Sequence, residues 1–143
     1  MPPTRYSKLV WFLGISAIVT ISASGCRSMV EGCTAVRGPE LLYPRPGATG
    51  IADPHLALWF GSNGDPSSSF SRPVISPEGG GPSVRGGAYS SPSPGPLPSG
   101  AATPQPNEQV FVSTIPMYAP ATTYNVIITG SCGSGSAGTF STK

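Results

Sequence analysis

Histidine occurs once in these 143 residues, at His55, and most of the chemistry open to a small domain goes missing with its scarcity. A nucleophile triad would need His55 beside a serine, and no serine of the chain stands in a G-x-S-x-G elbow. Carboxylates are equally thin. Glu31, Glu40, Asp53, Asp65, Glu78 and Glu108 are each isolated in sequence, so no pair suggests itself for acid and base work. Charged residues make up only 10% of the chain. That level leaves no basic stripe for nucleic acid and no acidic tail. Helical periodicity is missing beyond the first 26 residues. Gly133-Ser134-Gly135-Ser136-Ala137-Gly138 satisfies G-x-G-x-x-G, yet a dinucleotide site needs a helix to open there and an acidic residue about 20 positions on. Here the chain ends at Lys143, and the glycines read as a flexible hairpin tip. The expectation is therefore a non-catalytic domain without a cofactor and without a nucleic-acid partner.

Against these absences stands one long apolar run. Leu9 to Cys26 (LVWFLGISAIVTISASGC) follows a short basic leader, Arg5 and Lys8, and stops at Gly25-Cys26. A basic n-region, an apolar h-region and small residues before a break are what an export signal requires. The alternative is an uncleaved membrane helix, for which 18 residues diluted by Ser, Thr and Gly sit at the low end of the roughly 20 needed to span a bilayer. Either way the remainder of the chain is exported and tethered. Ala23-Ser24-Gly25-Cys26 resembles the bacterial lipobox, and that resemblance implies cleavage before Cys26, whose thiol and then amine carry acyl chains. Residues 1–25 are then a signal peptide forming an N-terminal signal helix, and residues 26–38 a polar tether. The membrane is the first expected partner. Arg27, rather than Asp, follows the cysteine, which in the lipoprotein family implies that nothing retains the protein at the inner membrane. The outer membrane or cell surface is the destination it implies for a bacterium with two membranes.

Removing residues 1–25 takes away Arg5 and Lys8 and leaves six basic against six acidic residues. With Cys26 assigned to lipid, the two other cysteines, Cys33 and Cys132, can pair, closing a loop of about 100 residues for about 4 to 5 kcal/mol in the chain-entropy model. Two free or intermolecularly paired thiols are the alternative, because spacing alone does not establish geometry.

Gly and Pro together number 37 of 143 residues, so part of the chain must be loop. A short strand is expected at Leu41-Leu42-Tyr43 ended by Pro44, a turn at Pro46–Gly50, and an alternating strand at His55–Phe60 with apolar residues on both faces. Residues 62–106 promise one or two irregular strands around Phe70, Val74, Ile75, Val84 and Tyr89. Within them, Ser90 to Pro106 holds six prolines in 17 residues and reads as an extended, polyproline-like loop, a stiff connector before it is a recognition motif. Order returns in Gln109–Thr114, Tyr124–Thr129 and Gly138–Thr142. Residues 39–143 are thus expected to be all-β.

Ala119-Pro120-Ala121-Thr122-Thr123-Tyr124-Asn125-Val126 is similar to the P-x-T-x-Y-x-V signature of fibronectin type III and related immunoglobulin-like domains. Tyr43 to Ile51 resembles the opening of bacterial immunoglobulin-like domains and Gly138 to Thr142 their closing strand. The resemblance implies an immunoglobulin-like β-sandwich with a Pro/Gly-rich inserted loop. It implies further that Tyr124 is a structural tyrosine corner and Trp59 a core tryptophan. A lipid-anchored cell-envelope module with a structural or protein-binding role follows, its partner an envelope protein. The competing expectation is a periplasmic copper carrier of the same fold, with His55, Met29, Met117 and two thiols as its soft ligand supply; no two of them lie at a recognised spacing.

Overall fold

The computed structural model describes residues 37–53, 55–91 and 96–143. The expectations for the signal peptide, Cys26, Cys33 and most of the tether lie outside these residues. Among the described residues no helix is long and apolar enough to cross a membrane.

Strand β1 (Glu40–Tyr43) points Leu41 inward and Leu42 outward, and Pro44, which has no amide hydrogen to donate, ends it. The chain then turns at Gly47, whose φ of +83° suits glycine, and crosses to the other sheet as β2 (Ala48–Ile51). Residues expected as a turn are therefore half strand: Gly47 N–H donates to Thr139 O at 2.7 Å and Lys143 N–H to Ile51 O at 2.9 Å, binding β2 parallel to the last strand. Strand β3 (Ala57–Ser62) carries Phe60 inward. A short 3-10 turn (Pro66–Ser68), capped by the Asp65 carboxylate on Ser67 N–H, leads into β4 (Val74–Pro77) and the two-residue β5 (Val84–Arg85). Strands β6 (Gln109–Thr114), β7 (Thr123–Gly130) and β8 (Gly133–Thr142) follow.

The strands form two sheets, one of three in the order β1-β3-β6 and one of five in the order β2-β8-β7-β4-β5. A single cluster of buried side chains lies between them. Leu41, Leu58, Phe60 and Phe111 come from the first sheet, and Ile75, Tyr124, Val126, Ile128 and Phe140 from the second. The protein is all-β, with an arrangement consistent with a β-sandwich.

A further segment differs from the sequence reading. Gly133–Ala137, expected as a loose tip, is strand: β7 offers eight consecutive residues of template and β8 pairs along it to a two-residue turn at Ser131-Cys132. The missing side chains are compensated at Gly130, where the Phe70 ring covers the backbone so closely that a Cβ would stand 2.9 Å from it. The proline-rich segment, expected as a stiff connector, and the residues just before it are tied to the three-stranded sheet where they are described. Gly87 and Ser90 run antiparallel to β6, with Gly87 N–H on Thr114 O and a reciprocal pair between Ser90 and Val112. Further on, Ala102 N–H donates to Leu42 O at 2.8 Å. Leu42 is fully buried although it points away from the inter-sheet cluster, because residues near Ala102 and the Glu108 carboxylate over Gly61 close upon it.

The bulge in β8 supplies a test. Gly138 has φ +145° and a Cβ there would stand 2.9 Å from the Pro46 ring, where the chain crosses between sheets. Gly138→Ala is expected to lower stability by about 1–3 kcal/mol. Gly135→Ala, with open space around its position, should stay within about 0.5 kcal/mol of wild type in the same denaturant titration.

Candidate functional site

The end of the sandwich where β6 leaves and β7 begins is built around residues 115–122. Ile115 is buried and its N–H donates to Leu56 O at 2.8 Å, so the loop starts from a fixed point. Ala121, at φ +48°, makes its return bend. Two side chains then hold the far side. The Tyr124 hydroxyl accepts from Ala119 N–H at 2.6 Å, while Thr142 Oγ1 donates to Ala119 O at 2.8 Å and accepts from Thr122 N–H at 3.0 Å. Tyr124 and Thr142 are both buried, while Ala119 is exposed, so these bonds are partly shielded from water.

Held in this frame, Met117 projects into solvent at 69% exposure, the exposed large hydrophobic side chain among the described residues. Grooves flank it on both sides. One is walled by Pro77, Pro82, Val84 and Tyr118, the other by Ile51, Ala52, Pro120 and Lys143. Tyr43 belongs to the same end: burial first, then the Asp53 carboxylate and Tyr118, hold its hydroxyl above the ordinary phenol range. The surface around Met117 is largely apolar, with one flexible thioether at its centre on a loop tied to the core.

The other residues singled out from sequence fall elsewhere. His55 is exposed and its backbone N–H bonds to Asp53 Oδ1 at 2.9 Å. Among the described residues no group of three His, Cys, Asp or Glu could hold a metal. Trp59 is a correction: it is half-buried on the outward face of β3 and takes no part in the core, which Leu58 and Phe60 fill from the same strand. The alternation of β3 was legible, but both its faces carry apolar residues, and the choice of inner face belongs to the partner sheet. Cys132 is disulfide-bonded at the tip of the β7–β8 hairpin, at the opposite end from Met117.

Two residues went unread. Thr142 looked like an ordinary strand residue, and nothing local signals that its hydroxyl anchors a loop 20 residues upstream. Tyr89 is buried against Phe60, ring centroids 5.5 Å apart edge to face, and its hydroxyl has no hydrogen-bond partner among the described residues. Burial alone pushes that phenol up to about 12.

No protein-family model, curated protein or solved structure matches this chain.

The two buried tyrosines should respond oppositely to loss of the hydroxyl. Tyr124→Phe leaves Ala119 N–H without its acceptor and should cost about 1–3 kcal/mol, whereas Tyr89→Phe removes an unpaired polar atom and should be neutral or stabilising in chemical denaturation. Raising pH supplies a second readout. The folded state keeps the Tyr89 proton to about 12 while the unfolded chain releases it near 10, so stability is full below pH 10 and falls as pH climbs from 10 towards 12. Tyr89→Phe should flatten that fall.

Proposed function

We propose that this chain is a lipid-anchored module of a bacterial cell envelope, immunoglobulin-like in fold, that meets a protein partner through the end bearing Met117 and performs no catalysis. The observation that carries the binding role is the preorganised apolar patch. Met117 stands exposed between two grooves on a loop that Tyr124 and Thr142 hold in place from the core. A solvent-facing thioether with apolar flanks gains by being covered, and a loop already fixed loses little entropy when that happens.

The immunoglobulin-like reading draws support from topology. Naming β1, β3 and β6 as strands A, B and E, and β4, β7 and β8 as C, F and G, reproduces the hallmark partition, with Gly87 to Ser90 lying beside β6 where a D strand would run. The bond from Ala119 N–H to the Tyr124 hydroxyl is of the kind a tyrosine corner makes, at the start of the strand where that fold has one. Support for the anchor comes from sequence: the basic leader, the apolar run and Ala23-Ser24-Gly25-Cys26. Acyl chains at Cys26 would secure the domain and residues 27–38 give it reach.

Metabolic labelling with a fatty acid, followed by fractionation, tests the anchor: Cys26→Ala should abolish the label and move the protein from the membrane to the soluble fraction, and unchanged labelling would defeat it. For the contact, a photo-crosslinking residue at position 117 in intact cells should give a discrete heavier species that the same residue at exposed Asn63, beyond the far end of β3, does not. Equal adducts at both positions would refute a role for the Met117 end.

A further inference from the structure

We propose that Arg72 and Arg85, side by side at the outer margin of the five-stranded sheet, form a phosphate clamp that seats the hairpin end of the domain on the anionic headgroups of the membrane holding its tether. The ladder puts the two together. Arg85 is the register partner of Val74, and Gly86 N–H donates to Pro73 O at 2.8 Å, which carries the pairing one step past the strand. Pro73 and Ile75 turn inward and are buried, so Arg72 and Val74 face out, and Arg85 shares the face of Val74. Diagonal neighbours of this kind stand about 7–8 Å apart, close enough for two long side chains to reach one phosphate. Both arginines are exposed, and among the described residues neither has a carboxylate within ion-pair distance. The acids are occupied or distant. Glu40 pairs with Arg37, and Asp53, Asp65 and Glu108 each accept a backbone N–H. Glu78 lies past the other end of β4, where its N–H meets Thr123 O. Two planar guanidiniums left unneutralised on one face suit a bridging phosphate, whose oxygens accept paired hydrogen bonds from such forks.

The tether decides the source of that phosphate. The described chain begins at Arg37 on the hairpin end, where a Cβ on Gly38 would stand 3.8 Å from the Phe70 ring and Phe70 bridges Gly130. Arg72 is two residues beyond Phe70, and Ser71 N–H bonds to Thr129 O at 2.8 Å, so the clamp and the tether share one end of the sandwich. Residues 26–36 span at most about 40 Å even fully extended. A membrane held within that radius is met repeatedly, at an effective concentration that makes weak charge contacts count. Each arginine near an anionic surface shifts its occupancy about fivefold. This rests on the anchored reading of the chain and adds an orientation to it: the hairpin end faces the lipid, and the Met117 end faces away. The clamp sits on β4 and β5, beyond the hydroxyl pairs that join β7 to β8.

The full chain recovered from envelopes is reconstituted with vesicles of phosphatidylcholine alone or with roughly a third phosphatidylglycerol. It is then treated briefly with phenylglyoxal, which condenses with accessible guanidiniums, and the labelled residues are located by mass spectrometry. Arg72 and Arg85 should label roughly tenfold slower on the anionic vesicles than on the neutral ones, with high salt restoring the rate. Exposed Arg45, where the chain crosses between the sheets, should label alike on both. Equal rates for Arg72 and Arg85 on the two vesicles, or an equal slowing of Arg45, overturn the clamp. Inorganic phosphate that slows both arginines as strongly on neutral vesicles makes this a free-anion site and overturns the lipid assignment. Arg72→Gln, a change at an exposed side chain, should return Arg85 about fivefold towards its neutral-vesicle rate, and an unaltered Arg85 overturns the sharing of one phosphate. Flotation with the neutral vesicles reads the attachment separately. A chain that floats with both vesicles but labels equally sinks the clamp alone, and one that floats only with the anionic vesicles sinks the anchor alone.

Discussion

Everything in this fold depends on one layer of side chains buried between two sheets. Leu41, Leu58, Phe60 and Phe111 meet Ile75, Val126, Ile128 and Phe140 there, and burial of such side chains is the main favourable term a chain this size has. More than a quarter of the residues are Gly or Pro, and although Pro44, Pro66 and Pro73 are buried, the large apolar side chains are concentrated in few positions. The ladder serves that layer. Strand β7 pairs on both sides, with β4 and β8, and sets the register that turns Tyr124, Val126 and Ile128 to one face. A slip of one residue would send all three to solvent.

The strands that build the layer were legible because their residues repeat with period two: Gln109–Thr114 was read with its observed limits, and Tyr124–Thr129 lies within β7. What escaped reading lacks side chains to carry a pattern. Gly133 to Ala137 became strand because β7 lay ready to pair with it, and a ladder of amides and carbonyls needs no particular side chain. Strand β2 escaped for a related reason: Ala48 to Ile51 is short, holds Gly50 at φ +70°, and pairs with a strand some ninety residues away in sequence.

The same distinction separates the readable from the unreadable parts of the candidate site. Tyr124 stood out through the resemblance of residues 119–126 to an immunoglobulin-like signature, and its hydroxyl accepts from Ala119 N–H. Trp59 was expected in the core on the same resemblance, yet a resemblance in sequence does not choose a face. Leu56, Leu58 and Phe60 together bury more apolar surface than Ala57 and Trp59 would, and β3 turned them inward. Among the described residues, the Tyr89 hydroxyl departs from the rule that buried side-chain polar atoms find partners. Its ring fills space against Phe60, and the hydroxyl is carried in with it.

Where a partner could bind follows by elimination among the described surfaces. The outer face of the three-stranded sheet is overlaid near Leu42 by the chain around Ala102 and Glu108. Its β6 edge is engaged by Gly87 and Ser90, and its β1 edge takes a hydrogen bond from Ala102. The outer face of the five-stranded sheet is knitted to itself by hydroxyl and amide pairs, Thr123 with Ser141, Thr129 with Ser134, and Ser136 donating to Asn125. Such a face is already satisfied and offers a newcomer little that water does not. Its β5 edge is two residues long, too short to template an added strand with much affinity. The Met117 end differs from all of these in presenting apolar surface that the fold itself does not cover, on a backbone the fold does hold still. A partner that covered the Met117 thioether there would gain from its desolvation.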